Sequence, residues 1–285
     1  MIKSIIRKSG IIIDKHDKVV PWWSFTKTII ASAVLKFSEQ GKVNLDDCLE
    51  GKKFTYRQLL QHTSGLKDYG GLPEYHQAVD EGGQPWSIEE LFNRLDLDEL
   101  MFEPGQGWSY SNVGYLYLKL ELERIGNSDI ASVLNSTLFN PLNLSDVKLI
   151  STSEEFKELS LSKADYDPRW CYHGLITGTT ASAVRFLHLL SSGEIVKTNS
   201  LAEMLSPYKL NVDVGNRPWR NPAIGLGLMM EYDKDLESYG HTGEGPESTI
   251  AIYHFPKPEP ITIAVFEETN NVAIVENEAV SHALQ

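Results

Sequence analysis

Short β-branched runs open the chain. "SIIRKSGIIID" and "KVV" flank the polar connection Lys15-His16-Asp17-Lys18, and residues 2 to 20 read as a small hairpin. From Ser24 the period changes. Ile29, Ile30, Ala33, Val34 and Phe37 recur at steps of three and four up to Gly41, so residues 24 to 40 are expected to form an apolar-faced helix with a glycine stop and Ser24 at its amino end. Helical spacing returns at Tyr56 to His62, Ile88 to Leu95, Val113 to Ile125, Ile130 to Leu138 and Ala181 to Leu190, joined by loops such as "YGGLPEY" and "FEPGQGWSYSN".

After about residue 206 the pattern reverts to strands: Ile224 to Tyr232, a turn at "DKDLE", Ser238 to Thr242, Thr249 to Phe255, the turn "PKPEP", and Ile261 to Glu267. These are expected as antiparallel neighbours in a meander. Val272 to Leu284 has helical spacing and is placed to cover one face of that sheet. No repeat, low-complexity tract or flexible linker interrupts the chain. The expected fold is α+β, a central antiparallel sheet flanked by helices plus a mainly helical lobe. Residues 1–20 and 206–285 are expected to form the sheet lobe, residues 21–205 the helical lobe, and the cleft between them to hold Ser24.

Composition narrows the function. Hydrophobic residues make up 41% and charged residues 23% of 285, which is ordinary globular usage with length for a large core. A net charge of -13 argues against a surface that tracks phosphates, so nucleic acid is set aside. Cys48 and Cys171 lie far apart without metal-ligand spacing and read as two buried thiols. The run Ile11 to Ile13 after Lys3, Arg7 and Lys8 is too short for a signal core or a membrane span, so a soluble, cytoplasmic protein is expected.

The candidate chemistry begins with Ser-x-x-Lys. On a helix, residues three apart share a face with Cβ atoms about 5 to 6 Å apart, within reach for a lysine amine and a serine hydroxyl. The pattern occurs five times, at Ser24/Lys27, Ser64/Lys67, Ser145/Lys148, Ser160/Lys163 and Ser206/Lys209, but only Ser24 starts a long apolar helix. There the hydroxyl feels the positive end of the helix dipole, and a backbone N–H is available to an oxyanion. For Lys27 to act as a base, burial and nearby positive charge must lower its pKa, with Trp22, Trp23 and Phe25 as the apolar neighbours. The same residues also fit an N-cap serine and a solvated lysine.

Two more segments occur once each and in order: Tyr110-Ser111-Asn112 in a glycine-containing loop before a helix, and His241-Thr242-Gly243 at the end of a strand. With "GKVNLDD", "TYRQLLQHTSGL", "FEPGQGWSYSNVGYLYL" and "GHTGEGP", the chain resembles, over most of its length, the penicillin-recognising serine hydrolases: class C β-lactamases, D-alanyl-D-alanine carboxypeptidases and related esterases.

The resemblance implies a β-lactamase/transpeptidase-like fold in which Ser24 is the acylated nucleophile and Lys27 and Tyr110 share the proton transfers. A phenol near two cations is expected to have a depressed pKa. Asn112 would hydrogen-bond both the substrate and Lys27, the substrate-binding set would include His241, Thr242 and Gly243, the strand residues from Thr242 to Glu244 would flank the acyl group, and the N–H groups of Ser24 and Glu244 would form the oxyanion hole. His241 replaces the lysine usual in β-lactamases; a histidine is mostly neutral at pH 7, which favours ester or amide substrates over penicillins. The segment ahead of Ser24 is short, without an obvious leading helix, so part of the sheet's cover is expected from the terminal helix or from dimerisation.

The expected function is hydrolysis of a small ester, amide or D-amino-acid peptide, without metal or organic cofactor and with no membrane or nucleic-acid partner. The alternatives are β-lactamase or DD-carboxypeptidase activity, or a slowly deacylating sensor. His62, His76, His173, His188 and His254 show no paired spacing for a metal. His173 reads as a structural histidine or as one entering the cleft, and Trp86, Trp108, Trp170 and Trp219 receive no role.

Overall fold

A computed structural model describes residues 1–8, 10–162 and 165–284. The strands in chain order are β1 (Ile2–Arg7), β2 (Ile12–Ile13), β3 (Val19–Pro21), β4 (Lys148–Ile150), β5 (Leu175–Thr179), β6 (Tyr208–Lys209), β7 (Pro222–Ile224), β8 (Met229–Glu231), β9 (Ser238–Gly245), β10 (Ser248–Phe255) and β11 (Ile261–Glu267). The helices are α1 (Thr26–Glu39), α2 (Tyr56–Leu60), α3 (Pro73–Asp80), α4 (Ile88–Leu95), α5 (Asn112–Gly126), α6 (Ile130–Leu134), α7 (Ser153–Lys157), α8 (Thr180–Ser191), α9 (Thr198–Met204) and α10 (Val272–Ala283).

The main sheet runs β2-β1-β11-β10-β9-β8-β7-β6, and each neighbouring pair is antiparallel. The carboxy-terminal meander is therefore present, extended by the amino-terminal strand. The alternation of a strand distributes its side chains between two cores. Ile250, Ile252, Ala264 and Phe266 join the core that includes α8, whereas Ala251, Tyr253, Ile263 and Val265 pack with Val275, Ala279 and Val280 of α10. The terminal helix thus covers one face and α8, from the middle of the sequence, covers the other.

Three local expectations are corrected. The hairpin at the start pairs β1 with β2, through Ile5 opposite Ile13 and Ile6 opposite Ile12, while "KVV" leaves to pair with β5. It thereby joins a second sheet of order β3-β5-β4. Ile224 to Tyr232 breaks into β7 and β8 at a turn, because Gly227 takes φ of 73° and donates its N–H to the Leu60 carbonyl, 3.1 Å away. Helix α3 falls in a stretch read as a loop; it fully buries none of its residues, and only Tyr75, Ala78 and Val79 pack partly buried against the core.

Helix α1 has no solvent face from Thr26 to Leu35; every residue there is buried. Such a helix must satisfy its polar side chains internally. Thr28 Oγ1 donates to the Gly227 carbonyl at 2.7 Å, Ser32 Oγ to the Thr28 carbonyl at 2.8 Å, and Thr26 Oγ1 accepts the Ile176 N–H at 3.2 Å. Cys48 is exposed and Cys171 half-buried, against the expectation of two buried thiols. Among the described residues no helix is long and apolar enough to cross a membrane.

Candidate active site

Ser24 does not cap α1. It sits in a 3-10 turn, Trp23–Phe25, and the helix begins at Thr26 with Phe25 in the cap position and no side-chain capping bond. Trp23 has φ of 43°, a region a bulky residue adopts at a cost of roughly 1–3 kcal/mol. Its indole is held on several sides: Nε1 donates to Ser248 Oγ at 3.0 Å, and the ring packs on Tyr166 and Phe156 at centroid distances of 5.5 and 6.0 Å. Between Val20 and Leu35 only Ser24 escapes full burial. The strained turn delivers one hydroxyl to a surface that is otherwise closed.

One turn later Lys27 is fully buried, with Nζ 3.2 Å from Ser24 Oγ, 2.6 Å from Asn112 Oδ1 and 3.3 Å from His173 Nε2. Burial lowers its pKa from 10.5 to about 7, against the opposing pull of Asp68. The cause is desolvation; the nearby positive charge anticipated from the sequence is not what lowers it. At neutral pH much of Lys27 is an unprotonated amine. The three other Ser-x-x-Lys pairs among the described residues do not reproduce this geometry. Lys67 pairs with Glu99 at 3.1 Å, Lys148 with Glu155 at 3.5 Å, Lys209 lies over the Tyr232 ring, and Lys163 is outside the described residues.

Asn112 is the first residue of α5, which Ser111 caps by accepting the Gly114 N–H at 3.2 Å. Its backbone N–H donates to Asp68 Oδ1 at 2.6 Å and its Nδ2 to Asp68 Oδ2 at 3.0 Å. With the amide nitrogen committed to a carboxylate, the amide oxygen faces Lys27. Asp68 escaped the sequence reading. Its local signal is a turn aspartate, since it also accepts the Gly70 N–H at 3.1 Å ahead of the Tyr69–Gly71 turn.

Tyr110 stacks on His62 with centroids 4.4 Å apart, and its hydroxyl is hydrogen-bonded to Ser24. The expected depression of its pKa is not found. Burial raises it well above the usual phenol value, the Ser24 bond opposing only in part. Desolvation outweighs the cations: Lys27 lies 5.0 Å from the ring and Arg217 opposes the rise only weakly, while the neighbouring histidine is itself held neutral.

That histidine, His241, is completely buried. Its Nδ1 donates to the Thr242 carbonyl at 2.7 Å, Nε2 has no partner among the described residues, and burial lowers its pKa to about 3. Its ring lies 6.4 Å from that of Tyr110. Thr242 Oγ1 donates to Glu276, which also holds Arg217 through contacts of 2.6 and 2.8 Å, and accepts from Tyr253 at 2.8 Å.

Strand β8 accompanies β9 only as far as Gly240, opposite Met229. Beyond it that edge of β9 meets the Ser24 turn. A Cβ at Gly243 would fall 2.6 Å from the Trp22 carbonyl oxygen and 3.0 Å from Ser24 N, so glycine permits this approach.

A cleft of about 780 Å³ opens over the site and is lined by Ser24, Tyr110, Asn112, His173, Thr242 and Glu244, among others. Arg217, Cys171 and Trp108 also reach it. Thus Ser24, Lys27, Tyr110, Asn112, Thr242, Gly243 and Glu244 converge, and His241 lies behind them. Two histidines read as scattered, His62 and His173, are gathered here as well. Of the tryptophans, Trp108 lines the cleft, Trp86 and Trp170 pack edge to face at 5.3 Å, and Trp219 covers Tyr253 at 4.7 Å.

A sheet covered on both faces and a serine-lysine pair at the head of a buried helix constitute the architecture of the penicillin-recognising serine hydrolases. The chain belongs to the beta-lactamase family, whose family model, described as Beta-lactamase, matches residues 14–281. Among curated proteins it is 25% identical over 141 residues to penicillin-binding protein 4* of Bacillus subtilis (strain 168), covering 44% of this chain and 29% of that protein. It is 29% identical over 162 residues to esterase EstB of Burkholderia gladioli, covering 50% of this chain and 41% of that protein. The match thus spans less than half the length of either relative.

Among solved structures, D-amino acid amidase from Ochrobactrum anthropi SV3 superposes with a TM-score of 0.80 at 20% identity, covering 99% of this chain and 94% of that one. The octameric penicillin-binding protein homologue from Pyrococcus abyssi gives 0.79 at 19% identity, covering 99% and 72%. At these identities the likeness establishes the fold.

Proposed function

We propose that this protein hydrolyses a small ester or amide through a covalent acyl-Ser24 intermediate. The observation that carries the reading is Lys27: a fully buried amine 3.2 Å from Ser24 Oγ whose pKa is brought to about 7. Lys27 takes the hydroxyl proton as Ser24 Oγ attacks the acyl carbon, and the oxyanion forms against the N–H groups of Ser24 and Glu244. Tyr110, held protonated, donates toward the leaving group and is reprotonated from Lys27. Asn112 hydrogen-bonds the substrate and Lys27, and residues 242 to 244 flank the acyl group. Water then attacks the acyl-enzyme by the reverse route.

The neutral, buried His241 supplies no permanent charge for a carboxylate, and Arg217 is neutralised by Glu276, which favours simple esters and amides over penicillins. The likeness to an esterase and to a D-amino acid amidase supports the same substrate range. The test is turnover of p-nitrophenyl butyrate and D-phenylalanine amide, with a fluorophosphonate adduct located on Ser24 by mass spectrometry. Ser24→Ala is expected to abolish both turnover and adduct. Equal turnover by the variant and the wild type would refute the reading.

A further inference from the structure

Three groups surround the Lys27 amine: Ser24 Oγ, Asn112 Oδ1 and His173 Nε2 at 3.2, 2.6 and 3.3 Å. An ammonium has three N–H groups to give them, whereas a neutral amine has two and a lone pair. Asn112 Oδ1 only accepts, because the same amide gives its nitrogen to Asp68, so one N–H is always spent there. The second goes either to Ser24 Oγ, leaving the lone pair turned away from the hydroxyl, or to His173 Nε2, leaving the lone pair aimed at the Ser24 O–H. Only the second arrangement can take the serine proton.

We propose that His173 is a positioning residue for acyl transfer: its Nε2 accepts the spare N–H of Lys27 and thereby turns the amine lone pair onto Ser24. This rests on the reading of Lys27 as the base. The surroundings of the ring agree with such a role. His173 is 3% exposed; with Nε2 accepting, the ring proton lies on Nδ1, which finds no partner among the described residues, so the hydrogen bonding of this buried imidazole is directed to Lys27. The backbone that presents it is braced, since Gly174 takes φ of 99° and donates its N–H to the Cys171 carbonyl at 2.6 Å, while Tyr172 Oη donates to the Trp86 carbonyl at 3.2 Å. The titratable and charged groups facing the Lys27–His173 pair are Asp68, Tyr110, Tyr115, Cys171, His62, His241 and Lys119.

The experiment compares His173→Phe, which keeps a ring and removes the acceptor, with His173→Gln, whose amide oxygen restores one. The Lys27 amine is titrated directly by NMR in protein carrying isotope-labelled lysine, assigned with Lys27→Met, and kcat/KM for p-nitrophenyl butyrate is followed against pH. Without the acceptor the ammonium loses a hydrogen bond. Lys27 in His173→Phe should therefore titrate about one pH unit lower, and the high-pH plateau of kcat/KM should fall on the order of tenfold, with His173→Gln close to wild type in both. An unchanged or raised titration in His173→Phe, or an unchanged plateau, overturns the proposal. Failure of the hydrolase reading is distinguishable, because it appears as equal turnover by Ser24→Ala and wild type.

Discussion

Gly243 of β9 faces the backbone of Ser24 so closely that a methyl group at position 243 would lie 3.0 Å from Ser24 N and 2.7 Å from Trp23 Cβ. The obstructing atoms belong to the strained turn itself and have no flexible end that can move aside. Gly243→Ala is expected to push β9 and the Ser24 turn apart and separate the two N–H groups assigned to the oxyanion. The expected loss in kcat/KM is about 10²-fold with the circular dichroism spectrum unchanged. Steady-state kinetics on a chromogenic ester decides it.

Lys27 should impose an acid limb. Its burial-lowered pKa of about 7 means that the base is protonated below that pH, so kcat/KM is expected to rise through about pH 7 and level off above it. Tyr110, whose phenol is pushed upward by burial, stays protonated well past that point, and the plateau should extend beyond pH 9. A bell centred near neutrality would contradict both assignments.

Asp68 orients Asn112 and opposes the lowering of the Lys27 pKa. Asp68→Ala frees the amide to rotate and removes the neighbouring negative charge. Two changes are expected together: a fall in the kcat/KM plateau of roughly 10-fold to 10²-fold, and an acid limb displaced to lower pH. A variant that lost rate with its limb in place would limit Asp68 to holding Asn112.

The same buried amine has a stability signature. Its native pKa of about 7 lies below its ordinary value of 10.5, so between those limits the unfolded chain binds a proton that the native protein does not. Stability therefore declines as pH is lowered through this window and is level with respect to this group below it. Lys27→Met fills the site with an unbranched chain that does not titrate. The urea midpoint of the variant relative to wild type should rise as pH falls from about 10 to 7 and stay constant at lower pH, while ester turnover is lost.

Much of the fold was legible because hydrophobic periodicity reports burial along each element. The spans at Ile88 to Leu95, Val113 to Ile125 and Ile261 to Glu267 match α4, α5 and β11 within a residue or two. Where periodicity carried no information, reading failed. Helix α3 has no fully buried residue, and β4 and β5 are brief apolar runs whose pairing, β5 with both β3 and β4, joins segments distant in the chain. The start of α1 was displaced as well, since the turn at Trp23 depends on the packing of its indole and on no local preference.

By itself the sequence determined which residue types were available in order, Ser24 with Lys27 one helical turn on, Tyr110 with Asn112 at the start of another helix, and a Thr-Gly pair on a strand, because those are local spacings read from local periodicity. Only the tertiary structure decided their protonation and their auxiliaries. It drew water away from Lys27, kept the phenol of Tyr110 protonated and His241 neutral, and brought Asp68 to Asn112 and His173 to the Lys27 amine. Those properties depend on desolvation and on contacts between residues as much as 146 positions apart, and neither quantity is carried by any window of the sequence.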